Sequence, residues 1–197
     1  QITLFLIVVT GLVITSELKR PVFPTGQSLS YNIYQCFNIG ENNMTTRQQA
    51  ARDFVKTWLS PKRGREDADR QTFWNDLLQR VYGISNYYDY ITYEKQVQVK
   101  ADNKITTRRI DGYIPSTKVM IEMKGKIIKD LSKPLQQSGG GELTPYEQAK
   151  RYANFLPQNE QPRWIIVSNF SEIDIHDMNQ PLADPTVLKI KDLPTKF

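Results

Sequence analysis

Between Lys118 and Ile128 the chain reads KVMIEMKGKII, an apolar strand pattern carrying two opposite charges, Glu122 and Lys124, with one residue between them. Alternation along a strand sends Glu122 and Lys124 to one face and Ile121 and Met123 to the other. The fold must bury the second face and still accommodate a charged pair among apolar neighbours. Buried charges are costly unless paired or bound to a metal, so the pair needs a partner or a task. The preceding run, ITTRRIDGYI, is joined to this strand by a turn at Pro115-Ser116 and carries Asp111, with ten residues between it and Glu122. Pairing of the two runs brings the Asp111 carboxylate beside the other two groups.

What the chain lacks narrows the chemistry open to such a cluster. Its 197 residues include one His, His176, and one Cys, Cys36. No His-rich zinc site can be built, and a Ser-His-Asp triad would have to run through His176. Cys36 alone makes no intramolecular disulfide, so nothing points to an oxidising compartment and the expected location is cytoplasmic. Carboxylates, Lys, Tyr and a hard, oxygen-preferring cation remain. Two carboxylates and a Lys on one sheet face suit metal-assisted phosphodiester hydrolysis. Asp111 and Glu122 are the expected holders of one or two Mg2+ ions, and Lys124 the group that orients or deprotonates the attacking water and counters charge on the phosphorane. The plainer alternative is a structural Glu122–Lys124 salt bridge on a solvated strand, since Glu-x-Lys also occurs at Glu17–Lys19.

The net charge is +5 and falls wholly on residues 44–197. Between Lys95 and Lys129 nine Lys or Arg stand against three acids, Asp102, Asp111 and Glu122. That stretch is a candidate polyanion footprint, although basic runs more often serve only as solvated faces.

The apolar stretch Ile2–Ile14 is too short to span a bilayer and lacks a basic leader. It reads as a hairpin turning at Thr10-Gly11, and residues 1–43 are set apart as an extension of doubtful origin. From residue 44 the pattern turns helical, with one amphipathic helix over Thr46–Leu59 and a second over Glu66–Val81. Three strands follow, YDYITYEKQVQVK, ITTRRIDGYI and KVMIEMKGKII, with a turn at Asp102-Asn103 between the first two. Gly139-Gly140-Gly141 marks a flexible loop. Thr144-Pro145-x-Glu147 reads as the cap of a helix over Tyr146–Phe155, and RWIIVSNF as a strand buried on both faces. The order helix, helix, three strands, helix, strand predicts an α/β or α+β fold around a mixed sheet.

Asp111, ten residues, and Glu122-Met123-Lys124 at the end of an apolar strand resemble the PD-(D/E)XK nuclease motif. The helix after the Gly run supplies Gln148-Ala-Lys-Arg-Tyr152, similar to the Q-x-x-x-Y element of several branches of that superfamily; spacing of four puts Gln148 and Tyr152 on one face. MTTRQQAARDFVKTW, Glu66, Phe73-Trp74, Leu77-Leu78, QAKRY and WIIVSNF together resemble the N-terminal domain of MmeI-like restriction-modification enzymes, over about residues 44–197. The resemblance implies a restriction-endonuclease-like core and a Mg2+-dependent DNA endonuclease. It assigns Asp111, Glu122 and Lys124 as catalytic, Glu66 as a further metal ligand, and Gln148 and Tyr152 as supporting residues. Glu66 equally suits a helix start favoured by the dipole. Arg108, Arg109, Lys126 and Lys150 are the expected DNA contacts. In such enzymes a helical spacer, an adenine-specific methyltransferase and a target-recognition domain follow the nuclease. This chain has neither an Asn-Pro-Pro-Tyr motif nor a Gly-rich motif for S-adenosylmethionine. Its expected partners are therefore double-stranded DNA and those domains, in cis or in trans, with S-adenosylmethionine used only there and no membrane involved. Residues 17–27 faintly resemble the nuclease segment of type I restriction motor subunits. A non-cleaving DNA-binding or assembly module, and a repair exonuclease of the same superfamily, are the competing readings.

Overall fold

The computed structural model describes residues 41–101, 104–138 and 140–196. The expected hairpin at the start of the chain, Cys36 and the Asp102-Asn103 turn lie outside the described residues. Helix α1 (Glu41–Trp58) buries Ala51, Phe54 and Trp58, one stripe at helical spacing. Helix α2 (Glu66–Asp76) runs on into a wider π turn over Leu77–Val81, closed by Tyr82 N–H donating to the Leu77 carbonyl at 3.1 Å. Trp58, Phe54, Phe73, Trp74 and Phe170 pack ring against ring, with Phe73 in contact with all four others at 5.2–5.6 Å between centroids. A single-turn helix α3 (Tyr87–Tyr90) occupies the aromatic start of the first expected strand, which therefore begins only at Thr92.

Six strands form a mixed sheet in the order β1 (Thr92–Ala101), β2 (Lys104–Ile114), β3 (Val119–Met123), β6 (Trp164–Ser168), β7 (Glu172–Asp177) and β8 (Thr186–Lys189). Between β3 and β6 in sequence, β4 (Leu135–Gln136) and β5 (Glu142–Leu143) pair as a separate small hairpin, and α4 (Pro145–Ala153) follows it. Gly140 and Gly141, at φ 84° and 79°, lie within that hairpin's connection, where the sequence suggested a loose loop. The β3–β6 pair is parallel and the other pairs in the sheet are antiparallel. A crossover through α4 is what a parallel pair requires.

Each sheet face has its own core. On one side Ile121, Met123, Ile166, Ile173 and Ile175 meet the aromatic cluster of α1 and α2, joined by Ile190 and Leu193 from the closing 3-10 turn (Ile190–Lys196). On the other side Met120, Ile165 and Val167 meet Ala149 and Ala153 of α4, together with Val97 and Val99 of β1. Strand β6 feeds both cores, as its unbroken apolar run predicts. Strands β7 and β8 were not anticipated, although EIDIHD alternates Ile173 and Ile175 with polar residues. Among the described residues no helix is long and apolar enough to cross a membrane.

Candidate active site

Strand β3 ends at Met123, five residues earlier than the pattern KVMIEMKGKII suggests, because the backbone beyond it is bonded elsewhere. Lys124 N–H donates to the Ser168 carbonyl at 2.8 Å, Gly125 N–H to Glu66 Oε2 at 3.0 Å, and Lys126 N–H to the Gly64 carbonyl at 2.8 Å. The chain thus turns off the sheet while keeping Lys124 on the face of Glu122, with Ile121 and Met123 in the opposite core. Lys124 Nζ donates to Glu122 Oε1 at 2.7 Å, and both groups are buried. Gln148 closes the triangle: its Nε2 donates to Glu122 Oε1 at 2.7 Å, and its Oε1 accepts from Lys124 Nζ at 3.1 Å. A primary amide, donor at one end and acceptor at the other, is suited to bridge a carboxylate and an ammonium. Its position is set by the start of α4. Thr144 Oγ1 accepts from Glu147 N–H at 3.1 Å, Glu147 Oε2 accepts from Thr144 N–H at 2.8 Å, and Pro145 opens the helix.

Asp111 lies on β2 just beyond the Gly112–Ile121 pair, which sets it across from Glu122. Its Oδ2 accepts from Met123 N–H at 2.8 Å, and its Oδ1 from Arg70 Nη1 at 2.9 Å. The other terminal nitrogen of Arg70 bonds Glu94 on β1. Neither Arg70 nor Glu94 was anticipated. Arg70 sits one helical turn after Glu66, a spacing visible in the sequence, whereas the place of Glu94 follows only from the β1–β2 register.

The charges in this cluster perturb one another. Burial pushes the Glu122 carboxyl up to about 8, with Asp111 and Glu66 adding and Lys124 opposing. Burial raises Asp111 as well, offset in part by the Met123 amide, Arg70 and Lys124. For Lys124 burial works to lower the ammonium, but Glu122, Glu66 and Asp111 outweigh it and the net is upward, so Lys124 holds its proton. Glu66, whose charge acts on all three, is fixed by a loop centred on Asp69. That carboxylate accepts from Gly64 N–H, Arg65 N–H and Arg63 Nη1 at 2.9, 3.1 and 3.0 Å, and these bonds overcome burial to hold it below its ordinary value.

The structure thus brings together Glu66, Asp111, Glu122, Lys124 and Gln148. Tyr152 packs half-buried against the α4-side core, apart from the triangle. Arg109 is exposed at the rim, 3.5 Å from Glu94, and Arg108 reaches Ser138 at 3.4 Å. Lys150 lies 5.6 Å over the Tyr146 ring, which stacks on His176 at 4.0 Å. Lys126, expected as a DNA contact, has its Nζ donating to the Trp58 and Ser60 carbonyls at 2.9 and 3.1 Å, which clamps the end of α1. The carboxylates of Asp111, Glu122 and Glu66 all accept hydrogen bonds, both Asp111 oxygens being taken by Met123 N–H and Arg70 Nη1. Among the described residues no three His, Cys, Asp or Glu side chains are gathered tightly enough to enclose an ion by themselves.

Residues 46–197 match the profile of a family described as MmeI, N-terminal domain. No curated protein and no solved structure matches the chain.

Proposed function

The chain belongs to the MmeI N-terminal domain family, and from that premise we propose that residues 44–197 are the Mg2+-dependent DNA endonuclease domain of a restriction-modification protein, built on a PD-(D/E)XK core. Residues 1–43 are read as an extension without activity, and the location as cytoplasmic. The observation that carries this reading is the buried Glu122–Lys124–Gln148 triangle facing Asp111. A salt bridge kept only for stability does not call for two further carboxylates, Asp111 and Glu66, whose charges raise the Glu122 carboxyl.

The donor set suits Mg2+. This ion keeps several waters and takes one or two carboxylates plus phosphate oxygens, so it does not need three gathered side chains. Glu66, Glu94, Asp111 and Glu122 also outnumber Arg70 and Lys124 two to one, with Arg109 approaching Glu94 only from the exposed rim. In this reading Asp111 and Glu122 hold the ion, with Glu66 beside them. Bound there, Mg2+ supplies polarisation of the scissile phosphate and neutralises charge on the leaving oxygen. Lys124 acts as an ammonium: it orients the attacking water and counters the charge growing on the phosphorane. The raised Lys124 argues against its alternative use as the base. Gln148 fixes the Lys124 Nζ against rotation. Arg108, Arg109 and Lys150 engage DNA phosphates, which confers affinity with little sequence preference. Target choice falls to methyltransferase and recognition domains.

Supercoiled plasmid incubated with the purified chain and Mg2+ or Mn2+ should be nicked or linearised, and EDTA should stop the reaction. Lys124→Ala and Asp111→Asn should each slow cleavage by roughly 100-fold or more, the scale of a lost acid-base or electrostatic group. Cleavage undiminished in Lys124→Ala removes the assignment.

A further inference from the structure

The guanidinium of Arg70 is divided between two carboxylates on neighbouring strands, Asp111 Oδ1 through Nη1 and Glu94 through Nη2. Its Nε is buried and has no partner. The two carboxylates are therefore its anchors at this site, and either could keep it alone. Glu94 is the stranger of the two. The pairs Tyr93–Gly112 and Lys95–Ile110 are in register on either side of it, so Glu94 stands opposite Asp111; yet its φ is 54°, a left-handed conformation at the third residue of a strand. Non-glycine residues avoid that region, and such strain persists where the surroundings hold it for a purpose. Here the strained residue is the one whose carboxylate takes the second nitrogen of Arg70.

We propose that Arg70 is a stand-in cation that competes with a divalent ion for Asp111, and that Glu94 is the seat to which Arg70 withdraws when the ion binds. The proposal rests on the reading of Asp111 as a metal ligand. Arg70 contacts the Asp111 oxygen on the side away from Met123 N–H, so the ion and the guanidinium seek the same carboxylate. Two cations cannot share it closely without repulsion, and in a partly buried site that repulsion is screened less than in bulk water. With Glu94 present the guanidinium keeps a partner after leaving Asp111, so its release does not strand a buried charge. Glu94 thereby sets how readily the site loads.

The direction of the effect separates this role from a structural one. A residue that merely braces Asp111 weakens metal binding when removed, whereas a competitor strengthens it. Mn2+ binding to the full chain, followed by calorimetry and by the loss of the free-ion EPR signal, gives the readout without DNA or turnover. Arg70→Gln should tighten Mn2+ by roughly tenfold or more, as expected when a unit charge is withdrawn from beside a divalent ion at intermediate dielectric. Glu94→Gln should weaken it, and by a larger factor when Arg70 is present than in the Arg70→Gln background. Unchanged or weaker binding in Arg70→Gln overturns the proposal. Should Arg70→Gln fail to fold, the neutral and similarly long Arg70→Met decides: tighter binding supports the proposal, while unchanged or weaker binding overturns it. Asp111→Asn distinguishes the two levels. If it leaves Mn2+ binding intact, the metal assignment falls and this proposal with it; if it abolishes binding while Arg70→Gln does not tighten it, the proposal alone falls.

Discussion

Gly64 and Lys126 are pressed together across the loop that leads into α2: a Cβ added at Gly64 would lie 2.6 Å from the Lys126 Cβ, and Gly64 itself has φ 103°. Gly64→Ala therefore meets both a backbone conformation closed to L side chains and a collision. Thermal unfolding should show a loss of at least about 1 kcal/mol, the scale of a misplaced alanine at positive φ. Lys126→Ala in the same chain should restore little of it, because alanine keeps the Cβ that lies 2.6 Å away and the φ penalty remains.

Gln148→Ala removes a group bonded to both members of a buried ion pair. Stability should fall by about 1–3 kcal/mol in chemical denaturation, since the pair is left undersatisfied. Thr144→Ala, which removes the cap of the same helix, should cost about 1 kcal/mol. The two differ in cleavage: Gln148→Ala should slow it markedly, while Thr144→Ala leaves the amide in reach of its partners.

Phe73→Ala empties the centre of the five-ring cluster. A loss of about 3–5 kcal/mol is expected for a fully buried Phe, enough to populate the unfolded chain at growth temperature. Calorimetry should show a lower melting temperature and enthalpy together.

Asp174 and His176 give stability opposite pH slopes. Burial, with Glu172 and Asp130 adding, pushes the Asp174 carboxyl up to about 7 from 3.8, and its Oδ1 has no partner. The folded chain thus holds a proton that the unfolded chain has released, so this contribution is complete below pH 3.8 and is lost as pH rises through 7. Asp174→Asn should raise the melting temperature at pH 8 by about 2–4 °C, a gain that shrinks toward pH 5. Burial holds the His176 imidazole down to about 4 from 6.5, so its contribution is complete above 6.5 and is lost as pH falls toward 4. Melting curves across pH 4–9 in the single variants separate the two limbs.

Arg109 is 64% exposed at the rim of the site. If it binds a phosphate, Arg109→Ala should lower DNA affinity equally across sequences and reduce the slope of log affinity against log salt by about one. Melting should be unchanged, and a slope identical to the parent's would remove Arg109 from the contact surface.

Much of this arrangement was legible because short-range rules governed it. Alternation alone put Glu122 and Lys124 on one face, and the Thr144-Pro145-x-Glu147 signature located the helix that carries Gln148. The helix Glu66–Val81 was read to its ends because its apolar residues recur at helical spacing through the π turn. What escaped depended on neighbours distant in sequence. Tyr87–Tyr90 has the aromatic content of a strand yet forms a helical turn, and Lys126 reads as a surface base until the carbonyls of Trp58 and Ser60 are placed beside it. Arg70 and Glu94 meet only because β1, β2 and α2 converge, and no local pattern marks that convergence.

The packing of α1 against Ile190 and Leu193 joins the first described helix to the last described turn. During synthesis, Ala51 and Phe54 leave the ribosome long before the residues that complete their core. By then the strands and helix that carry Asp111, Glu122, Lys124 and Gln148 have all emerged, so that face can assemble while the opposite core, already lined by α1 and α2, still lacks its closing turn. Over that interval the core lacks only Ile190 and Leu193, and substitutions in the closing turn should be read out first as poor yield and chaperone dependence.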